Sequence, residues 1–246
     1  MAAGLTLFSG FGLGTILTPI VVIFFPVPVA IAITAVVHLL NNLFKLGLLW
    51  RQINKSVLLA FGIPALLAAI PGALLLDYLA VLPPLMEYQW LGASYSITQV
   101  KLVAGILLIV FATAEIVPFL NRLSKSHAGL PVGGLLSGFF GGLSGNQGAF
   151  RSAFLIKVGL TKESFVATNA AIAALVDVSR IIVYGFTFDL ILIENQLTLI
   201  LLATISAFLG IFLGSRLLHK VTIGFIQKLV AVMLYTLGGL LCAGII

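Results

Sequence analysis

The chain has 246 residues, 61% of them hydrophobic and only 8% charged, with a mean hydropathy of +1.24. A water-soluble domain of this length cannot cover so much apolar surface with so few charges, so the composition specifies a multi-pass membrane protein. The net charge of +6 comes from basic residues scattered through short loops, with no basic face and no interleaved aromatics, which argues against nucleic acid and for topology signals.

The single cysteine, Cys242, excludes an internal disulfide and a cysteine-based metal site. Zinc and P-loop motifs are absent, so no metal, no cofactor and no ATP-driven pump are expected. Residues 1–25 lack a basic leader and run straight into further apolar sequence, so a cleaved signal peptide is not expected.

In chain order, residues 3–25 are interrupted at Gly10, Gly12, Gly14 and Pro19, leaving two pieces each shorter than the ~20 residues a spanning helix needs. A re-entrant hairpin is expected there. Residues 28–50, 57–76 and 98–120 are each long enough to cross. The connection 77–97 contains Pro83, Pro84, Glu87 and Trp90 and reads as an interfacial loop. A second glycine-broken piece covers 130–157, and further spans are expected at 164–186, 196–217 and 223–246.

The halves repeat. A slide of 135 residues lays Thr34, Asn42 and Lys45 on Asn169, Asp177 and Arg180, and Ser9-Gly10-Phe11 lies near the register of Ser137-Gly138-Phe139. The expected fold is therefore all-α, with a first transmembrane repeat at 1–125 and a second at 126–246 forming one transport domain. Each repeat is a glycine-broken hairpin followed by three spans.

Loop charge orients the repeats. With Arg51 and Lys55 in the cytoplasm, Arg122 and Lys125 are inside two crossings later, as the positive-inside rule requires. If 130–157 turns back instead of crossing, Lys157, Lys162, Arg216 and Lys220 are also inside, while Asp77, Glu87, Asp189 and Glu194 are outside. A single crossing would reverse every later loop. The repeats are thus expected to be inverted, with both termini on the extracytoplasmic side of the plasma (inner) membrane. Inverted repeats with interrupted segments at matching positions point to a secondary transporter with its site between the halves.

Polar and ionised groups within such spans are costly and mark function. Asn169, Ala173, Asp177, Arg180 and Tyr184 share a sector of about 80° at 100° per residue. Thr34, His38, Asn41, Asn42 and Lys45 share a comparable sector in the first repeat. Asp177 and Arg180 also suit a plain i,i+3 ion pair. Arg151 has no acidic neighbour within a turn; the alternative to a binding role is snorkelling to the cytoplasmic interface. The tips around Gly14 and around Ser144, Gly145, Asn146, Gln147 and Gly148 would end helices inside the membrane, where free N–H groups attract anions. Close helix packing is the other use of glycine there. His38 suits either a proton relay or a hydrogen-bonded packing role, and Glu115 reads as interfacial.

The second-half segment SGFFGGLSGNQGAFRSAFLIKVGLTKESFVATNAAIAALVDVSRIIVYG, with the weaker SGFGLGTILTPIVVIFFPVPVAIAITA of the first half, resembles the sulfite exporter TauE/SafE family over essentially the whole chain. The resemblance implies export of a small sulfur-containing anion such as sulfite, sulfoacetate or a related organosulfonate. Both turns are less glycine-rich than in many members. Residues expected to bind the anion are Arg151, Arg180, Ser144, Gly145, Asn146, Gln147, Gly148, Asn169, Lys45, Asn42 and Gly14, with Asp177 and His38 orienting or coupling. Proton coupling is left open, as is a homodimer; the expected partners are the anion and the lipid bilayer. An anion channel is the alternative. A rhomboid-like protease, suggested by the string Gly142-Leu143-Ser144-Gly145, ranks lower because no later helix supplies a histidine.

Overall fold

The computed structural model describes residues 13–116, 129–187, 198, 200–206, 209 and 223–246. The first arm of the expected opening hairpin, residues 117–128 with the end of the expected span 98–120, the expected acidic loop at Asp189 and Glu194, most of 196–217 and the Glu115 side chain lie outside them. The described residues are mostly helical. Helix α1 is Leu13–Val22 and α2 is Val27–Leu49, the latter opened by Pro26 and by Pro28 in its first turn, where a missing N–H costs nothing. A 3₁₀ turn, Trp50–Gln52, leads to α3, Lys55–Ala80, whose first turn is capped by Asn54 accepting from Val57 N–H at 3.0 Å. Inside α3, residues Leu58–Gly62 widen into a π turn just ahead of Pro64, which lacks the N–H that a regular helix would use there.

The connection after α3 departs from the expected loop. Met86–Trp90 (β1) and Ala93–Ile97 (β2) pair antiparallel, with Trp90 opposite Ala93 across a two-residue turn. Leu91 and Gly92 have φ of 52° and 80°, the two positive values that a type I′ hairpin turn demands. The fold is therefore not purely α. This hairpin docks on the C-terminus: Tyr88 donates to the Ala243 carbonyl, and Lys101 donates to the Ser96 and Gly244 carbonyls.

Helix α4 is Gln99–Ile116; α5, Gly129–Ser144, and α6, Gly148–Leu155, follow; α7 is Lys162–Thr187 and α8 is Ile223–Cys242. Among the described residues, three stretches, Val27–Gln52, Lys55–Ala80 and Lys162–Phe186, are long and apolar enough to cross a membrane. Leucine, isoleucine, valine and phenylalanine side chains stand exposed along them, among them Leu48, Leu67, Leu74 and Ile182, as expected of a surface that meets lipid.

The contacts fix directions. Gly134, Gly138 and Gly142 of α5 press in step on Phe61, Ala65 and Ala69, so α5 runs parallel to α3. A Cβ at those glycines would lie 2.3, 2.0 and 2.2 Å from the three carbonyl oxygens, so only glycine permits this approach. Helix α5 stops where Gly142 and Leu143 meet Ala73 and Gly72, about two-thirds of the way along α3. There Gly145 takes φ +76° and the chain doubles back: Gly133 meets Phe154, and Ser137 Oγ donates to the Gln147 carbonyl. Phe140 and Phe150 stack across the two arms at 5.3 Å, with Phe111 of α4 edge-on to both.

Helices α2 and α7 run antiparallel, since His38 meets Asp177 while Asn54 N–H donates to Thr168 Oγ1. Helices α4 and α8 do the same: Gly105 packs on Gly238, and Thr113 bonds Tyr235. The Gly105–Gly238 contact is reciprocal, each glycine lying against the other's carbonyl oxygen. Arg51, Lys55, Lys157 and Lys162 are all exposed; the Asn54–Thr168 bond ties the 3₁₀ turn to the start of α7, and α6 returns to that same basic end. Glu87 and the C-terminus lie at the other end of α3.

Candidate functional site: a buried polar cluster at the meeting of two helix breaks

The N-terminal ends of α1 and α6 converge. A Cβ on Gly14 would sit 2.7 Å from the Gly145 carbonyl oxygen, and one on Gly145 would meet the Arg180 guanidinium at 3.0 Å and Thr18 Oγ1 at 3.2 Å. Gln147 is the N-cap residue of α6 but makes no capping bond with its side chain. Its amide instead donates to Asp177 Oδ1 at 3.4 Å. The first N–H groups of α6 are thus left for another acceptor.

Asp177 is the hub. Its Oδ1 accepts from Arg180 Nε at 3.0 Å and Nη2 at 2.7 Å, and its Oδ2 from His38 Nδ1 at 2.6 Å. Asp177 and Arg180 are 0% exposed and His38 is 3% exposed. The expected i,i+3 pair exists, and it is joined across the helix interface by a histidine 139 positions earlier. Asn42 Nδ2 lies against the same ring, 3.2 Å from Nδ1 and 3.4 Å from Nε2. Arg180 Nη1 also donates to the Gly141 carbonyl, and Tyr184 Oη to the Gly142 carbonyl, so the helix stripe braces the hairpin tip.

Arg151 does not snorkel. It is 1% exposed, its Nε donates to Asn169 Oδ1, and its Nη1 has no partner. The cause is depth: α6 starts at the inner end of the hairpin, so a residue on its first turns cannot reach the interface. Among the described residues, neither ion pair includes Arg151. Lys45 is half-buried on α2, close enough to Arg151 to repel it. Thr18 Oγ1, both amide atoms of Asn41, both of Asn146, and Gln147 Oε1 are buried without partners.

The family model described as sulfite exporter TauE/SafE matches residues 1–241. The chain belongs to the sulfite exporter TauE/SafE family. As a TauE/SafE member it is a multi-pass membrane protein of a transport family. No curated protein and no solved structure matches the chain.

Within this TauE/SafE member the structure gathers most of the residues singled out in the sequence, and several of them meet one another. Asn42 is turned to His38, Asn169 to Arg151, and Gly14 to the Gly145 carbonyl. Ser144 Oγ donates to the Phe140 carbonyl at 2.9 Å and accepts from Asn146 N–H, so its hydroxyl is held locally, and no histidine bonds to it among the described residues. That geometry lends the protease reading no support. His38, read from the sequence as a proton relay or a hydrogen-bonded packing residue, is hydrogen-bonded to Asp177. Thr18 and Asn41 were not singled out as ligands. Thr18 lies one helical turn beyond Gly14, and that spacing was the available signal.

Proposed function

We propose that the chain exports a small sulfur-containing oxyanion, of the sulfite or organosulfonate class, by alternating access between two inverted repeats. The observation that carries this reading is Arg151: a buried cation with an unpartnered donor, beside the uncapped start of α6. A buried charge needs an opposite one, and a helix N-terminus favours an anion in the same place. Arg180, its charge paired with Asp177, stands beside Gly145 at the tip, with Asn146 and Thr18 offering hydrogen bonds.

Inverted repeats are supported by geometry. Helices α2 and α7 start 135 residues apart, the same slide that aligned the polar residues. Each helix of the α2–α7 and α4–α8 pairs meets its counterpart antiparallel, which suits an axis in the membrane plane. The α5–α6 hairpin enters and leaves at the basic end, which suits a re-entrant segment from the cytoplasm. An inside-negative potential of 100 mV favours exit of a monovalent anion by about 2.3 kcal/mol, so export needs no coupled ion.

In proteoliposomes, sulfite efflux above that of empty liposomes is expected, with a fall of about 10- to 100-fold in Arg151→Gln, as for removal of a charged hydrogen bond of about 1.5–3 kcal/mol. Undiminished efflux in Arg151→Gln would sink the anion-site reading. A channel would instead give flux that does not saturate with anion concentration.

A further inference from the structure

We infer that the site selects a monoanion that carries its own hydrogen-bond donor, so that the transported form of a diprotic acid such as sulfurous acid is hydrogensulfite and not the sulfite dianion. The inference deepens the transport reading and rests on it. Two independent features support it: the charge of the cluster and the direction of one amide.

Among the described residues, the charged and titratable groups facing the cluster are Asp177, Arg180 and Tyr184 on α7, Arg151 on α6, and His38 and Lys45 on α2. Asp177 and Arg180 cancel. His38 gives its Nδ1 proton to Asp177, and Asn42 Nδ2 lies across the ring edge, 3.2 Å from Nδ1 and 3.4 Å from Nε2. Lys45 is half-buried and close enough to Arg151 to repel it. Among the described residues, the fully buried cation Arg151 has no ion-pair partner, and one negative charge balances it. A dianion would leave an uncompensated buried negative charge.

Gln147 supplies the second feature. Its Nε2 faces the Asp177 carboxylate, which accepts only, so the amide cannot be reversed without placing oxygen against oxygen. Its Oε1 is therefore a fixed acceptor, buried and unpartnered. Gln147 and Arg151 are one turn apart on the same face of α6, joined by the Arg151 N–H to Gln147 carbonyl bond, so their side chains are roughly 5–6 Å apart at Cβ. A small ligand can give its O–H or N–H to Oε1 while its charged oxygens meet Arg151 Nη1. A ligand without a donor leaves Oε1 buried and unsatisfied.

The test compares three stable anions as substrates of the full chain in proteoliposomes: 2-hydroxyethanesulfonate, ethanesulfonate, and the dianion ethane-1,2-disulfonate. The hydroxyl-bearing monoanion is expected to show flux per concentration about 10- to 100-fold above ethanesulfonate, the size of one unsatisfied buried acceptor, and further above the dianion. In Gln147→Leu the ratio of the two monosulfonates is expected to fall to about 2 or below. Equal flux of the two monosulfonates in the wild-type chain, or preference for the dianion, overturns the inference while leaving anion transport standing; this comparison needs no variant to fold. A preference that persists in Gln147→Leu overturns the assignment to Gln147. Absence of flux for these anions and for sulfite alike overturns the transport reading and the inference with it.

Discussion

Gly138→Val is expected to lower the melting temperature of the detergent-solubilised protein by about 5–10 °C or to abolish monodisperse expression. The α5 glycines at 134, 138 and 142 bring that helix onto the α3 backbone, and at Gly138 a Cβ would lie 2.0 Å from the Ala65 carbonyl oxygen. A flexible side chain could move aside; a backbone carbonyl within a helix cannot. Overpacking of this kind costs about 1–3 kcal/mol, occasionally more, and each kcal/mol shifts the melting point of a protein of this size by about 2–4 °C. The effect reaches the site, because the same helix carries the Gly141 and Gly142 carbonyls that bind Arg180 and Tyr184. Gly47, around which a Cβ meets nothing within 4 Å, is the control: Gly47→Ala should be neutral or slightly stabilising in the same melt. Equal melting points for Gly138→Val and wild type would contradict the packing account.

Asp177→Asn is expected to destabilise by about 3–5 kcal/mol, the usual cost of removing one partner from a buried ion pair. The loss is larger than for a surface pair because three groups depend on this carboxylate: Arg180, His38 and the Gln147 amide. With asparagine in its place, Arg180 stays buried with no opposite charge. The double variant Asp177→Asn/Arg180→Gln should therefore melt above Asp177→Asn alone, which a general loss of packing at residue 177 would not produce. A double variant no more stable than the single one would mean that the ion pair is not what the carboxylate supports.

Several of these features were legible in the sequence, and for identifiable reasons. The polar stripe on α7 follows from 3.6-residue periodicity, and Asp177, Arg180 and Tyr184 all point inward. The hairpin break was marked by glycine, and Gly145 does take the left-handed conformation. The 135-residue slide that aligns the polar residues also relates the starts of α2 and α7, at residues 27 and 162. Other features depend on tertiary register that periodicity does not encode. The His38–Asp177 bond joins positions 139 apart, and no local pattern specifies it. Whether Arg151 snorkels depends on how far α5 carries the tip along α3, which is set by the glycine stripe and not by α6 itself. The stripe was in view at intervals of four, yet glycine in a broken segment reads equally as turn or as contact; here Gly134, Gly138 and Gly142 are contacts and Gly145 is the turn. The β-hairpin at 86–97 was hidden because its turn is Leu91-Gly92, without the Asn-Gly signature, and follows a Pro83-Pro84 pair that reads as loop.

The central claim is that the convergence of α1, α6 and α7 is where the anion sits. Selenite has the shape and charge states of sulfite and carries selenium, which the three methionines of the natural chain do not. Crystals grown in lipid with selenite should give an anomalous selenium peak within hydrogen-bond reach of Arg151 and the residue 145–148 turn, inside the bilayer slab. A peak confined to the basic end at Arg51, Lys55 and Lys162, or a cluster left empty under conditions that saturate transport, would contradict it.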